Sequence, residues 1–457
     1  VSPLRVAVVG AGPAGLYAAG HLLAPKEGTY LRGRLRQIVT REIEVDLYDR
    51  LPVLGGLVRY GVAPDHGEKK LVLDSLGRIL DNPRFRFFGG VRVGTDVRTE
   101  ELLDWYDAVI IAVGASGDSV PGIPGATLPG AFAAREFIAW YNAHPDSAEL
   151  PVRLDSERVV IVGNGNVAMD VARVLSLPTD VLRATDIAGH ALDALAGSKL
   201  REVRVLGRRG GADGAFNNPE LEELGELPGV DVTCTGFENT GDDGQFGTDR
   251  KLATLADYAG RPSTDAERKI VLSFCASPVE ILGSDRVEGV RIERNDLVKD
   301  PSTGRVEAVG SGEFEEVPAG MVIFATGYFG TPVEGLPFDE SRGVIPNDEG
   351  SVVGVPGGYV TGWIKRGPRG IIGTNKKCSR DTVIRLLADA DAGLLPTGGT
   401  LGADEVRARV RDRVPEVVEL DAWRRIEASE LERGKAAGRS RDKFARVDDM
   451  LAAGGVQ

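Results

Sequence analysis

Two glycine-punctuated signatures, far apart in the chain, limit what this sequence can fold into. The first, "RVAVVGAGPAGLYAAGHLL", sets Val6, Val8 and Val9 before Gly10-x-Gly12-x-x-Gly15 and a run of helix formers. The second, "VVIVGNGNVAMDVARVL", repeats the design as Gly163-x-Gly165-x-x-Ala168. The first glycine permits a tight turn, the second lets the backbone approach a pyrophosphate, and a small third residue lets the helix pack closely on the strand. The helix N-terminus then stabilises the phosphate charge. Two such units predict an α/β fold with two Rossmann-like dinucleotide-binding domains.

The strand after each turn says which dinucleotide it suits. "IEVDLYD" ends in Asp49, the acid that binds an adenosine ribose 2′-OH. Between Gly15 and Asp49, residues 24–41 ("APKEGTYLRGRLRQIVTR") read as a charged insertion. The second turn offers backbone N–H groups at Asn164, Gly165, Asn166 and Val167, and the next strand, "EVRVLG", runs into Arg208 and Arg209 where an acid would stand. Guanidinium groups suit bidentate recognition of phosphate, so the pair is expected to select NADP(H) over NAD(H). The competing reading is a solvated basic strand end.

"YDAVIIAVGAS" (106–116) and "GMVIFATGYFG" (320–330) are apolar strands ending in A-x-G or A-T-G, and they bracket the second signature. Such endings occur where the chain leaves and re-enters the flavin domain of two-dinucleotide flavoproteins. The expected organisation is therefore an NADP domain inserted into an FAD domain: 1–115 and 323–457 for FAD, 116–322 for NADP. Residues 231–320 read as a β-rich excursion completing the NADP domain. Residues 400–457 read as charged amphipathic helices packed on the flavin domain.

Composition removes other classes. A net charge of −13 argues against a nucleic-acid or anionic-membrane binder. No apolar run is long enough for a bilayer span, and the glycine-punctuated start suits a fold element better than a signal peptide. Cys234, Cys275 and Cys378 are far apart, with no C-x-x-C, which fits a reduced, cytoplasmic chain without a thiol-redox pair or protein-bound iron–sulfur cluster. No metal-ligand cluster is apparent.

Longer motifs carry a family resemblance. "GLVRYGVAPDH" (56–66), "NPRFRFFGGVRVG" (82–94), "VGNGNVAMDVAR" (162–173), "GRRGGADGAFNNPELEELGEL" (207–227) and "GWIKRGPRGIIGTNKK" (362–377) resemble the NADPH–ferredoxin reductases of the adrenodoxin-reductase type, especially the bacterial members. The resemblance implies an FAD enzyme that oxidises NADPH and passes electrons singly to a ferredoxin-like iron–sulfur protein. It implies FAD contacts from Ala14, Asp49, Leu57, Val93, Trp363 and Gly370 to Ile372, with Ile371 between. It implies NADP contacts from Asn164 to Val167, Arg208, Arg209, Glu220 and Gly370, and it places His66 and Glu223 near flavin and nicotinamide as the catalytic pair. On the residues alone, His66 reads equally as a turn histidine, Glu220 and Glu223 as a solvated helix face, and Trp363 as a packing aromatic.

The sequence departs from the family in four places. Asp49 stands for the usual Glu, Gly55 stands where bacterial relatives often have Trp, and Ser119 stands where relatives can offer Arg. The 24–41 insertion has no obvious counterpart. Gly55 is expected to leave that side of the FAD site more open.

"RGIIGTNKKCSRDTVIRLL" (369–387) reads as a loop entering a helix aimed at the flavin ring, with amides at Gly370, Ile371 and Ile372 facing negative charge there. An acidic acceptor would need a local basic face, for which Arg59, Lys69, Lys70, Lys365, Arg366, Arg369, Lys376 and Lys377 are the candidates. The alternatives are an NADPH diaphorase or oxidase with small-molecule acceptors and a non-catalytic redox sensor holding FAD and NADP(H). A disulfide reductase is disfavoured by the missing C-x-x-C.

Overall fold

The computed structural model describes residues 3–23, 42–237, 246–300, 302, 306–396 and 401–456. The 24–41 insertion lies outside the described residues. Two sheets hold the molecule together. The first has seven strands in the order β16 (Asn347–Asp348), β17 (Ser351–Val352), β18 (Gly358–Val360), β4 (Ala108–Ile111), β1 (Leu4–Val9), β2 (Ile43–Asp49) and β3 (Phe85–Gly89). The second has six, in the order β6 (Ala131–Ala133), β14 (Met321–Phe324), β7 (Arg158–Val162), β8 (Glu202–Leu206), β10 (Arg268–Ser273) and β9 (Val230–Thr235). Every pairing in the second sheet is parallel, and so are those from β18 through β3 in the first. Parallel strands are covered on both faces, which is why β1 is buried throughout and β7 is buried from Val159 onward.

The second sheet falls wholly between β4 and β16 in sequence, so one α/β unit is inserted in the other. β14 continues to Phe324 before the chain returns towards the first sheet, slightly past the expected position. A two-stranded ribbon, β5 (Gly117–Asp118) with β15 (Tyr328–Phe329), joins the outgoing and returning segments. The 231–320 region adds the antiparallel sheet β11 (Ala276–Leu282), β12 (Gly289–Lys299) and β13 (Val306–Pro318). It also forms a helix, Phe246–Gly260, that the strand-rich reading of this region did not anticipate.

Helices Ala403–Arg413, Leu420–Ala436 and Val447–Gly454 follow, as the amphipathic pattern predicts. Ala422, Ile426, Met450 and Leu451 join the apolar cluster beside β1 and β2. The segment does more than pack on the first unit. Ser440 N–H donates to the Ala184 carbonyl at 3.0 Å, and Lys443 reaches Asp186 at 2.9 Å, so it also grips the second.

Candidate functional site

The two glycine turns are built alike. Gly10 N–H donates to the Tyr48 carbonyl at the end of β2, and Gly163 N–H donates to the Leu206 carbonyl at the end of β8. Ala112 N–H donates to the Val9 carbonyl, and Ala325 N–H donates to that of Val162. Both glycines have positive φ, 109° and 106°, and a Cβ would lie 2.5 Å from the Ala112 oxygen or 2.4 Å from the Ala325 oxygen. The glycines are therefore explained: each turn lies against the backbone just past the neighbouring strand, β4 or β14, at the point where strand order reverses and ligands bind in such sheets.

Around the first turn, a Cβ on Gly15 would lie 1.9 Å from the Gly10 oxygen, so the helix Pro13–Leu23 starts tight against the turn. Asp49 accepts from Ala11 N–H at 2.7 Å and from Leu51 N–H at 2.8 Å. Burial pushes its carboxyl up, and these two amides oppose the shift. The acid thus holds the turn. A Cβ on Gly56 would lie 2.7 Å from Gly12 Cα, so backbone faces backbone there, with exposed Leu57 opening the short helix Leu57–Tyr60. Val93 is half-buried at the edge of the cluster holding Val97 and Trp105, beneath the other face of the sheet.

The expectation for Gly55 is corrected. It is buried at φ 116°, and a Cβ would meet Leu73 Cδ1 at 3.0 Å and Arg59 Cβ at 3.1 Å. The space that a side chain would take is filled, not left open. Ser119 is held by its backbone: its N–H donates to Gly327, and its carbonyl accepts from the Thr326 hydroxyl.

The long helix Ile372–Asp391 packs along Pro13–Leu23. Ser379 Oγ donates to the Ala14 carbonyl at 2.8 Å, and a Cβ on Gly362 would lie 2.7 Å from Ala14 Cβ. Through Ser379 the long helix therefore sits beside the start of the helix that follows the first glycine turn. One of its three expected amides is already used: Ile371 N–H donates to Thr374 Oγ1 at 3.2 Å, while the Ile371 side chain is 70% exposed. Gly370, at φ 84°, and Ile372 flank it. Trp363 stacks on Tyr328 with ring centroids 5.5 Å apart, and its buried Nε1 has no protein partner.

At the second turn, Asn166 Oδ1 accepts from Asn217 N–H at 2.8 Å, and Asn164 Oδ1 accepts weakly from Ala215 N–H. Gly165 caps the helix Asn166–Ser176, with half-buried Val167 in its first turn. The Arg208 and Arg209 carbonyls are pinned by Asn295 Nδ2 and Cys275 N–H, which leaves the Arg208 side chain exposed and the Arg209 side chain in a 3.6 Å contact with Asp213. Glu220, on the helix Asn218–Leu224, lies 3.9 Å from Lys69 and has a buried Oε2 without a partner. Buried polar atoms are normally satisfied, so Glu220 Oε2 and Trp363 Nε1 each keep hydrogen-bonding capacity that the described residues do not fill.

His66 and Glu223, from different units, meet directly: His66 Nε2 lies 3.1 Å from Glu223 Oε2. His66 Nδ1 faces Lys69 Nζ at 3.1 Å and Arg173 Nη2 at 3.2 Å. Both neighbours are donors, so Nδ1 is the acceptor and Nε2 carries the proton towards Glu223. Sequence reasoning missed Arg173, which looks like an ordinary member of an amphipathic helix.

The expected basic face shrinks. Arg59 is buried against Glu430 at 2.5 Å, Lys70 pairs with Asp186 at 2.7 Å, and Lys365 donates to Thr382 Oγ1 at 3.0 Å. Burial lowers the Lys70 and Lys365 pKa values. Arg366 turns inward to Asn375 at 2.9 Å. Lys69, Arg369, Lys376 and Lys377 remain exposed.

Among the described residues no His, Cys, Asp and Glu group could hold a metal, and no helix is long and apolar enough to cross a membrane. The pyridine nucleotide-disulphide oxidoreductase family profile matches residues 4–203. The NADPH-ferredoxin reductase FprA of Mycobacterium tuberculosis is 43% identical, with 99% of each chain covered. The chain belongs to the NADPH–ferredoxin reductase family. The mitochondrial NADPH:adrenodoxin oxidoreductase of Arabidopsis thaliana is 37% identical, covering 99% of this chain and 95% of that protein. The solved structure of Mycobacterium tuberculosis FprA in complex with NADPH superposes with a TM-score of 0.92 at 41% identity, covering 99% of both chains.

Proposed function

We propose that this protein is an FAD-dependent oxidoreductase that takes a hydride from NADPH and delivers electrons one at a time to a ferredoxin-type iron–sulfur protein. One observation carries the reading. Two equivalent dinucleotide turns lie in one chain, the second followed by Arg208 and Arg209, while none of Cys234, Cys275 and Cys378 is in a disulfide. With no internal disulfide to reduce, electrons taken from NADPH leave for an external acceptor.

The chemistry that FAD supplies when bound is acceptance of a hydride and release of its electrons singly. The chain's own groups bind and orient. Gly10, Gly12, Ala14 and Gly15 form the pyrophosphate turn for FAD, with Asp49 at its ribose and Leu57, Val93, Trp363 and Gly370 to Ile372 lining the rest. Asn164 to Val167 hold the NADPH pyrophosphate, Arg208 and Arg209 its 2′-phosphate, and Glu220 with Gly370 the nicotinamide end. His66 and Glu223 form the proton-bearing pair beside the reacting groups. The division 1–115, 116–322 and 323–457 follows the same reading, with the last boundary moved to 324/325 so that β14 stays whole in the NADP unit. Three cysteines outside any disulfide suit a reducing compartment, and the cytoplasm is the proposed location.

The deciding experiment is anaerobic titration of the purified holoprotein with NADPH and, separately, NADH, followed by visible flavin absorbance and then by addition of ferredoxin. Bleaching at far lower NADPH than NADH, and reoxidation by ferredoxin, is the expected result. Absence of bleaching would overturn the reading, and reoxidation by quinones and dyes but by no ferredoxin would replace the acceptor.

A further inference from the structure

Arg173 is 2% exposed and lies on the helix that begins at the second glycine turn, about 10 Å along from Asn166. Its guanidinium reaches across to the segment of the other unit that carries His66. Nε donates to Asp65 Oδ2 at 2.5 Å and Nη2 to Asp65 Oδ1 at 3.3 Å. Nη2 also faces Asp170 Oδ1 at 2.7 Å and His66 Nδ1 at 3.2 Å, and Nη1 lies 3.4 Å from Glu223 Oε2. One planar fork therefore engages four side chains from three segments, which a single ammonium could not do.

The charges around His66 come from every element packed on it. Asp65 and Lys69 lie on its own segment, Asp170 and Arg173 on the nucleotide helix, and Glu223 on the helix Asn218–Leu224. Lys69 is 41% exposed and touches His66 Nδ1 from the solvent side, whereas Arg173 is buried and fixed by Asp65 and Asp170. Burial works against the Arg173 charge, but the two aspartates more than offset it, and its pKa is raised.

Building on the proposed NADPH oxidation, we infer that Arg173 is a positioning residue for hydride transfer. It holds His66 in the tautomer that donates from Nε2 to Glu223, and it ties the helix that receives the NADPH pyrophosphate to the segment bearing His66. Nucleotide seating and the alignment of the His66–Glu223 pair are then parts of one rigid connection, which His66 and Glu223 alone would not provide.

The test uses the holoenzyme with R173Q, R173K and, as a comparison, K69Q. The readouts are stopped-flow flavin reduction by NADPH, calorimetric NADP+ affinity, and long-range 1H–15N spectra of the imidazoles. The chain has only four histidines, and H66Q assigns the relevant signal. R173Q is expected to slow flavin reduction roughly 10- to 100-fold at saturating NADPH, with NADP+ affinity changing no more than about threefold. The Nε2–H pattern of His66 should be lost in R173Q and kept in K69Q. R173K, which preserves the charge but not the planar fork, should stay slow, and it carries the test if R173Q does not hold FAD. Native rate and tautomer in either Arg173 variant, or an Nδ1–H tautomer in the native protein, would overturn the inference. If NADPH fails to reduce the native flavin, the functional reading falls instead, and the imidazole spectra alone decide the positioning of His66.

Discussion

Lys443 Nζ lies 2.9 Å from Asp186 Oδ2, and the lysine side chain has no solvent exposure. Lys70 meets the same carboxylate at 2.7 Å, so one aspartate of the inserted unit answers one lysine from the first segment of the chain and one from its last. Burial alone would push the Asp186 carboxyl up, but the two ammonium groups hold it well below the usual range. Removing the shared anion strands two buried cations, so D186N is expected to cost about 3–5 kcal/mol. K443M should cost less, because Asp186 keeps Lys70. Equilibrium urea unfolding of both variants checks the order, and equal stabilities would refute the shared-anion account.

Arg208 and Arg209 offer guanidinium groups after β8, and among the described residues Asp213, at 3.6 Å from Arg209, is the acid that competes for them. A charge-assisted hydrogen bond is worth about 1.5–3 kcal/mol. R208Q/R209Q should therefore lower kcat/KM for NADPH by at least roughly 100-fold, with the NADH value little changed. Steady-state kinetics with both nucleotides decides it. Parallel losses for the two would mean that the arginines do not read the 2′-phosphate.

The turns were legible because their requirements are local. Gly10 and Gly163 have no room for a Cβ against the Ala112 and Ala325 carbonyls, and each glycine stands in a strand–turn–helix pattern that a short stretch of sequence displays. The placement of cations was not legible. Arg59, Lys70 and Lys365 look like surface charges until Glu430, Asp186 and Thr382 arrive from distant segments. Arg173 was hidden for the same reason, since Asp65, His66 and Glu223 are supplied by other parts of the fold. The helix Phe246–Gly260 was missed amid the strand-like runs around it.

His144 should make the protein acid-sensitive. It sits between the two units, edge-on to the Tyr60 ring at 4.7 Å and beside the Arg50–Asp146 pair at 2.7 Å. Burial pushes its imidazole down to about 4 from an ordinary 6.5, with Asp146 opposing the shift. The unfolded chain then binds a proton below pH 6.5 that the folded protein refuses. The stability contributed is fully present above that pH and is lost as pH falls towards 4, to a ceiling of about 3 kcal/mol. His21 and His190 shift the same way. Urea midpoints measured from pH 7 to 4 should fall, and H144N should flatten the slope; identical slopes would remove His144 as a cause.

The corrected basic face leads to a different docking experiment. Lys376 and Lys377 are exposed on the first turns of Ile372–Asp391, the helix that Ser379 fastens to Ala14 beside the first glycine turn. An acidic acceptor approaching the flavin from this side would meet them even though the whole chain carries a charge of −13. Such exposed charges act mainly on encounter rate and salt dependence. K376Q/K377Q should raise the ferredoxin KM by roughly threefold to tenfold at low salt and flatten its salt dependence, with the NADPH KM unchanged. K70M should leave the ferredoxin KM alone and lower stability, because Lys70 belongs to the Asp186 cluster. If K70M alone alters the salt dependence, acceptors dock elsewhere.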